Sequence, residues 1–295
     1  MKTKIPWYRK HIEWILLAPA GLVFLLLTVY PLIYEIVTSF YKIDIIGIQA
    51  FRGISNYTNA LTNSLFQIAF LNTLYFVGAS VLLEFLFGLG LALLFNRTMR
   101  GRNIFRTIVL LPMMAPPVTV SLIWRMMYQY DFGVINNILK MVGLPPLEWL
   151  TSTRLAMPSL IIADVWQWTP FAFLVLLAGL QGIPKDVMEA AKVDGASAWQ
   201  RFFYVTLPML RYSVVIVLLL RTIDTFRLFT KVYNMTGGGP GNATETLTFN
   251  IYRSGFKFFH LGSAAAKAII MVVLIVIISV FYIREILRRR RTGMA

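Results

Sequence analysis

The chain has 295 residues, of which 58% are hydrophobic and only 14% charged, with a mean hydropathy of +0.68. Soluble domains carry about 25% charged residues, so this is the composition of a membrane protein. The absence of cysteine excludes disulfides, thiolate metal sites and a cysteine nucleophile, and the two histidines, His11 and His260, lie far apart and form no ligand cluster.

A helix crosses about 30 Å of hydrocarbon with roughly 20 apolar residues. Six stretches qualify. After a basic tail, 1–13, the first predicted span is Trp14–Tyr34. Basic residues before an apolar stretch also open a secretory leader, but Ala18-Pro19-Ala20 stands at the start of this one, and no small-residue cleavage site follows Tyr34. The segment is therefore expected to stay as span one. Span two, Ile68–Phe95, holds an isolated Glu84, expected to be a hydrogen-bonded packing residue rather than a substrate ligand. Span three, Ile104–Tyr128, contains Pro112, Pro116 and Pro117 and should be kinked. Trp124 and Arg125 near its far end suit either an interfacial belt or a gate. Span four, Met157–Leu180, sets Asp164, Trp168 and Phe171 at i, i+4 and i+7, flanked by Gln167.

The loop 181–208 departs from this apolar pattern. Its "PKDVMEAAKVDGASAWQ", Pro184 to Gln200, is charged and rich in small residues. Pro184 suits a first helical turn. Lys185, Glu189 and Lys192 form one stripe, Ile183, Val187 and Ala191 the opposite one, and Asp194-Gly195 ends the helix. A second short helix is expected to carry Trp199, Phe202 and Phe203 as far as Leu207-Pro208. Ala190 and Ala191 permit close approach of another backbone, and Glu189 offers a charge. A lipid-lying amphipathic helix is the rival reading, weakened by the shortage of large apolar residues in the first helix.

Span five, Pro208–Phe229, is apolar for about half its length and carries Arg221, Asp224 and Arg227. Facing lipid, the three would cost about 8–10 kcal/mol at roughly 2.5–3.5 kcal/mol each, so a cavity or a partner is expected. Arg221, Thr225 and Leu228 share a face, with Asp224 adjacent. Two readings stay open for spans four and five. Aromatic rings beside Asp, Gln and Arg suit a sugar, with its C–H faces and hydroxyl rim. Alternatively, Arg221–Asp224 and Asp224–Arg227 simply neutralise each other at i, i+3. The following "TGGGPGNAT", Thr236–Thr244, lacks both the spacing and the lysine of a phosphate loop and is read as a tight turn. Span six is Ala264–Tyr282, and a basic tail, 284–295, follows.

The net charge of +15 is distributed by topology. The N-terminal tail, the loop after span two, the loop 181–208 with Arg211, and the C-terminal end hold seventeen of the lysines and arginines, while the alternate loops hold seven, among them Lys231. By the positive-inside rule both termini and the 181–208 loop are cytoplasmic. The charge orients the chain in a membrane, so no nucleic acid is expected.

Glu189-Ala190-Ala191, then Gly195, Val205 and Leu207-Pro208 at fixed spacing, resembles the EAA loop of ABC importer permeases; the family usually has Ile where Val205 stands. "APAGLVFLLLTVYP", "FRGISNY" at Phe51–Tyr57, "LPMMAPPVTVSLIW" and "TGGGPGNATETL" are similar to the carbohydrate-importing branch, the maltose and glycerol-3-phosphate type. The resemblance covers nearly the whole chain. It implies an all-α membrane protein with six transmembrane helices, a cytoplasmic coupling helix–turn–helix, and a permease domain over 14–283. It implies ATPase coupling through Glu189, Ala190, Ala191, Asp194, Gly195, Leu207 and Pro208, and substrate contacts from the spans flanking the loop. It also implies partners: a second related permease, two copies of a cytoplasmic subunit binding ATP and Mg, an external solute-binding protein, and a carbohydrate or polyol substrate in a bacterial or archaeal inner membrane. The chain itself has no ATPase motif and is expected to bind no cofactor and no metal. An ion-coupled secondary transporter is the alternative, using Glu84, Asp164 and Asp224, but the inverted repeats it predicts are not visible. An enzyme is disfavoured, since no nucleophile–base pair or metal cluster appears.

Overall fold

The computed structural model describes residues 12–97 and 101–291. His11 and the basic residues before it, Arg100, and the last residues of the C-terminal tail lie outside them. Asn63–Asn250 with the chain from Val272 onward forms one compact unit, and the chain up to Thr62 with Ile251–Met271 forms another.

In the smaller unit, α1 (Ile12–Phe24) passes through a π-helical turn, Leu25–Val29, into α2 (Tyr30–Ser39). Span one therefore runs to Ser39, beyond the expected Tyr34. A short antiparallel hairpin follows, β1 (Tyr41–Asp44) and β2 (Gly47–Phe51), then α3 (Ser55–Thr62). The "FRGISNY" stretch acts as a clasp here. The Asn56 amide donates to the carbonyls of Ser39 (2.8 Å) and Tyr41 (2.9 Å), and the Tyr57 and Ser39 hydroxyls meet at 2.5 Å. Those carbonyls lie where the helix ends and has no donors of its own.

The larger unit is built on α4 (Ser64–Phe95), a helix of 32 residues started by Asn63, whose side chain accepts from the Phe66 N–H at 3.0 Å. At 1.5 Å per residue it is about 48 Å long, more than a bilayer needs. It packs along α8 (Ala156–Gln181) through Leu89, Ala92 and Phe95 against Phe173, Leu176 and Leu177. Gly88 sets the closest approach: a Cβ there would lie 2.6 Å from that of Ala172 and 2.9 Å from the Phe173 nitrogen.

Span three is broken rather than kinked. Helices α5 (Arg102–Met114) and α6 (Pro117–Met127) meet at 95°. Ala115 and Pro116 are both extended, as residues preceding proline prefer, and Pro117 supplies no N–H to continue the ladder. The short α7 (Val134–Met141) follows.

After α8 come α9 (Lys185–Val193) and the single turn α10 (Ala198–Gln200). The chain does not break at Leu207-Pro208 as expected. A π-helical turn, Arg201–Thr206, carries α10 directly into α11 (Leu207–Phe226), one continuous helix from Ala198 to Phe226. The widened turn accommodates a proline whose ring would clash with the carbonyl four residues back in a regular α-helix. The short α12 (Leu247–Tyr252) and the long α13 (Leu261–Arg291) complete the chain. Among the described residues five helices are long and apolar enough to cross a membrane, and up to six spans result if the bent pair counts as one.

Candidate functional site

Two constellations stand out, both within the larger unit. The first is a chain of buried charges. The Arg221 guanidinium donates to Glu84 through Nε (2.6 Å to Oε2) and Nη2 (2.9 Å to Oε1). Nη2 also reaches Asp164 Oδ2 at 3.2 Å, and Nη1 meets Asp224 Oδ2 at 2.6 Å. Lys231 Nζ completes the set, donating to Asp164 Oδ1 and Gln167 Oε1, each at 2.7 Å. The Gln167 amide in turn donates to the Ala115 carbonyl at 3.1 Å, in the break between α5 and α6 where that carbonyl has left the helical ladder.

Glu84, Asp164, Arg221 and Lys231 are all buried, whereas the Asp224 side chain is 51% exposed. Two buried carboxylates thus face two buried cations, and α4, α8 and α11 are tied together at one level. A charge in such surroundings is tolerable only when paired and fully hydrogen-bonded.

Beside the network opens a cleft of about 150 Å³, lined by Pro117, Asp164, Trp168, Arg221, Asp224 and Lys231 among others. The Trp168 ring lies 4.8 Å from the guanidinium carbon of Arg221, a cation–π contact. Of the residues singled out from sequence, Asp164, Trp168, Arg221, Asp224, Thr225 and Leu228 line this cleft. Gln167 and Phe171 do not, Gln167 being wholly buried. The Thr225 hydroxyl bonds back to the Arg221 carbonyl at 2.5 Å. Arg227, a member of the expected i, i+3 pairing, lines the cleft as an exposed side chain.

Lys231 was missed by sequence reasoning, which placed it in an external loop. The usable signal was its position only four residues beyond Arg227, close enough to fold back to the carboxylates of the spans. Trp124, left open between belt and gate, is buried between Tyr128 (5.3 Å) and Trp166 (5.8 Å). Arg125 donates to the Asn234 carbonyl at 3.0 Å.

The glycine-rich stretch after Lys231 is a rigid turn fastened to α4. Gly237, Gly238, Gly241 and Asn242 have left-handed backbones. The Asn72 amide donates to the carbonyls of Asn242 and Glu245, both at 3.0 Å, and the Leu247 N–H donates to the Thr73 hydroxyl at 2.9 Å.

The second constellation is the hairpin of α9 and α10. Gly195 has φ +76°, and the bonds Ala196 N–H to Ala191 O (3.0 Å) and Gly195 N–H to Lys192 O (3.1 Å) form a Schellman closure. Ser197 opens α10 with a reciprocal capping box to Gln200. The Arg201 guanidinium donates to the Ala196 carbonyl and holds the turn. Glu189, Ala190, Asp194, Gly195 and Pro208 are exposed, and Ala191 and Leu207 half-buried. The stripe Lys185–Glu189–Lys192 borders a cleft of about 710 Å³, whose other walls are the ends of α4 and α8, from Leu93 to Arg97 and from Leu180 to Ile183. Among the described residues no group of His, Cys, Asp and Glu is placed to hold a metal ion.

The sequence of the family described as "Binding-protein-dependent transport system inner membrane component" matches residues 84–292. The chain belongs to this family. The matched segment begins at Glu84 and contains every member of the charge network and the whole hairpin. Across the chain's length, it is 36% identical over 288 residues to the trehalose/maltose transport system permease protein MalF of Thermococcus litoralis, covering 96% of each. It is 35% identical over 277 residues to the trehalose transport system permease protein SugA of Mycobacterium tuberculosis, covering 93% of this chain and 88% of that one. Among solved structures, a chain of a bacterial ABC transporter involved in import of the acidic polysaccharide alginate superposes with a TM-score of 0.84 at 26% identity, covering 95% and 96% of the two chains. Members of this family are multi-pass permease subunits of transport systems, and this chain's apolar helices fit that role.

Proposed function

We propose that this chain is one of two related permease subunits of an ATP-driven importer for a sugar or polyol, set in a bacterial or archaeal inner membrane. Its termini and the α9–α10 hairpin face the cytoplasm. The family description supports an external binding protein, and the sugar permeases to which the chain is similar support the substrate class. A pair of cytoplasmic subunits holds ATP and Mg, and the exposed hairpin is their docking point.

One observation carries the mechanism: the second arm of the hairpin and the charged level of the bundle lie on the same uninterrupted helix, Ala198–Phe226, to which the Arg201–Ala196 bond fastens the turn after α9. Closure of the ATPase pair displaces the hairpin, α11 moves with it, and the cleft beside Arg221 changes the side to which it opens. Within that cleft the geometry divides the labour. Arg221 already engages three carboxylates, so Glu84, Asp164 and Lys231 hold the frame, with Gln167 behind them. Trp168 and the exposed Asp224 carboxylate are left to receive a sugar ring and its hydroxyls. No observation favours the ion-coupled alternative.

The test is uptake by the assembled transporter in proteoliposomes. Glu189→Lys is expected to abolish ATP-dependent uptake while the chain is still made and inserted at the wild-type level. Uptake that persists without ATP would overturn the proposal.

A further inference from the structure

Besides Glu189, the cleft behind the hairpin gathers cations from three elements. Arg97, Lys185, Lys192 and Arg201 line it, with Glu189 opposing, and Leu180 and Phe202 contribute apolar wall. The carboxyl ends of α4 and α8 also point here, each bringing about half a negative charge, while the amino end of α9 returns about half a positive one. The sum stays at roughly plus two or more. A cleft that joins several cations to apolar wall matches a molecule that carries both a phosphate and an acyl chain. A second observation sets the depth. On the helix leaving the cleft, Trp199 and Tyr204 are 73% and 79% exposed, and the Trp199 and Phe203 rings stack at 5.6 Å within 9° of parallel. Exposed Trp and Tyr favour the headgroup level of a bilayer.

We propose that this cleft binds the headgroup of an anionic phospholipid from the cytoplasmic leaflet, its phosphate bridging Arg97 at the end of span two and Lys192 on the hairpin. This rests on the orientation proposed above. The lipid thereby ties the docking hairpin to the bundle and makes coupling dependent on anionic lipid. Positive-inside bias alone would scatter these cations over the surface, and the experiment separates the two.

The assembled transporter is placed in nanodiscs of phosphatidylglycerol mixed with phosphatidylcholine, and retained lipid is read by native mass spectrometry. Wild type is expected to retain phosphatidylglycerol in preference to phosphatidylcholine. Each basic side chain near anionic headgroups is worth about fivefold, so Arg97→Gln with Lys192→Gln should weaken retention about thirtyfold. Arg284→Gln, an exposed cation outside the cleft, should leave it unchanged. Unaltered melting of the double variant in pure phosphatidylcholine shows that the fold survives; Arg97→Gln alone, at an exposed position, serves if it does not. Equal loss in the double variant and Arg284→Gln, or a double variant that retains phosphatidylglycerol as wild type does, overturns the proposal. Orientation is read separately. The sequence has no cysteine, so Val193→Cys, at an 87% exposed position, reports which membrane face a thiol reagent must enter from.

Discussion

Arg221 shows how a membrane protein keeps charge where lipid forbids it. Its guanidinium spends its donors on Glu84, Asp164 and Asp224, so removing it leaves Glu84 buried without a cation. Breaking such a pair costs about 3–5 kcal/mol. Arg221→Met is therefore expected to lower the melting temperature of the detergent-solubilised chain sharply. Combining it with Glu84→Met should recover most of the loss, because Asp164 keeps Lys231. A double variant no more stable than the single one would refute the pairing. Lys231→Met should be milder, about 1.5–3 kcal/mol, the size of a hydrogen bond to a charged group, since Asp164 still meets Arg221. Asp224→Asn acts differently. Its carboxylate is half-exposed and releasable, so stability should hardly change while uptake by the reconstituted transporter falls.

At the scale of elements, the decisive packing is α4 on α8. Gly88 allows it, and Gly88→Ala would bring a methyl against Ala172 and the backbone of Phe173. Over-packing of this kind costs about 1–3 kcal/mol, to be measured as lost thermal stability. The spans themselves were legible because a run of apolar residues long enough to cross hydrocarbon has few other uses. The break in span three was announced by its prolines, but not its 95° angle, nor the Gln167 amide on another helix that donates to the freed Ala115 carbonyl. Leu207-Pro208 misled in the opposite direction. A local rule says proline stops a helix, and a widened turn carried the helix through. The hairpin β1–β2 escaped notice because its strands are too short for alternation to register. Lys231 escaped because sorting charges by loop uses only linear position. Its partner, Asp164, is 67 residues away in sequence.

In the larger unit the polar groups are gathered at two levels, the charged cleft and the hairpin. What joins them is the helix Ala198–Phe226. From Ala198 to Arg221 it rises about 35 Å at 1.5 Å per residue, with no loop in between. In the orientation proposed above, such a rod would act as a lever with its handle in the cytoplasm and its tip among the carboxylates. Its one irregular stretch, the π-turn Arg201–Thr206, lies next to the handle, where bending would waste the least of the stroke. A Gly-Gly insertion after Val214, within the shaft, should therefore leave ATP hydrolysis running while transport stops, measured as the ratio of sugar moved to phosphate released. An unchanged ratio would mean that the push reaches the cleft by another route.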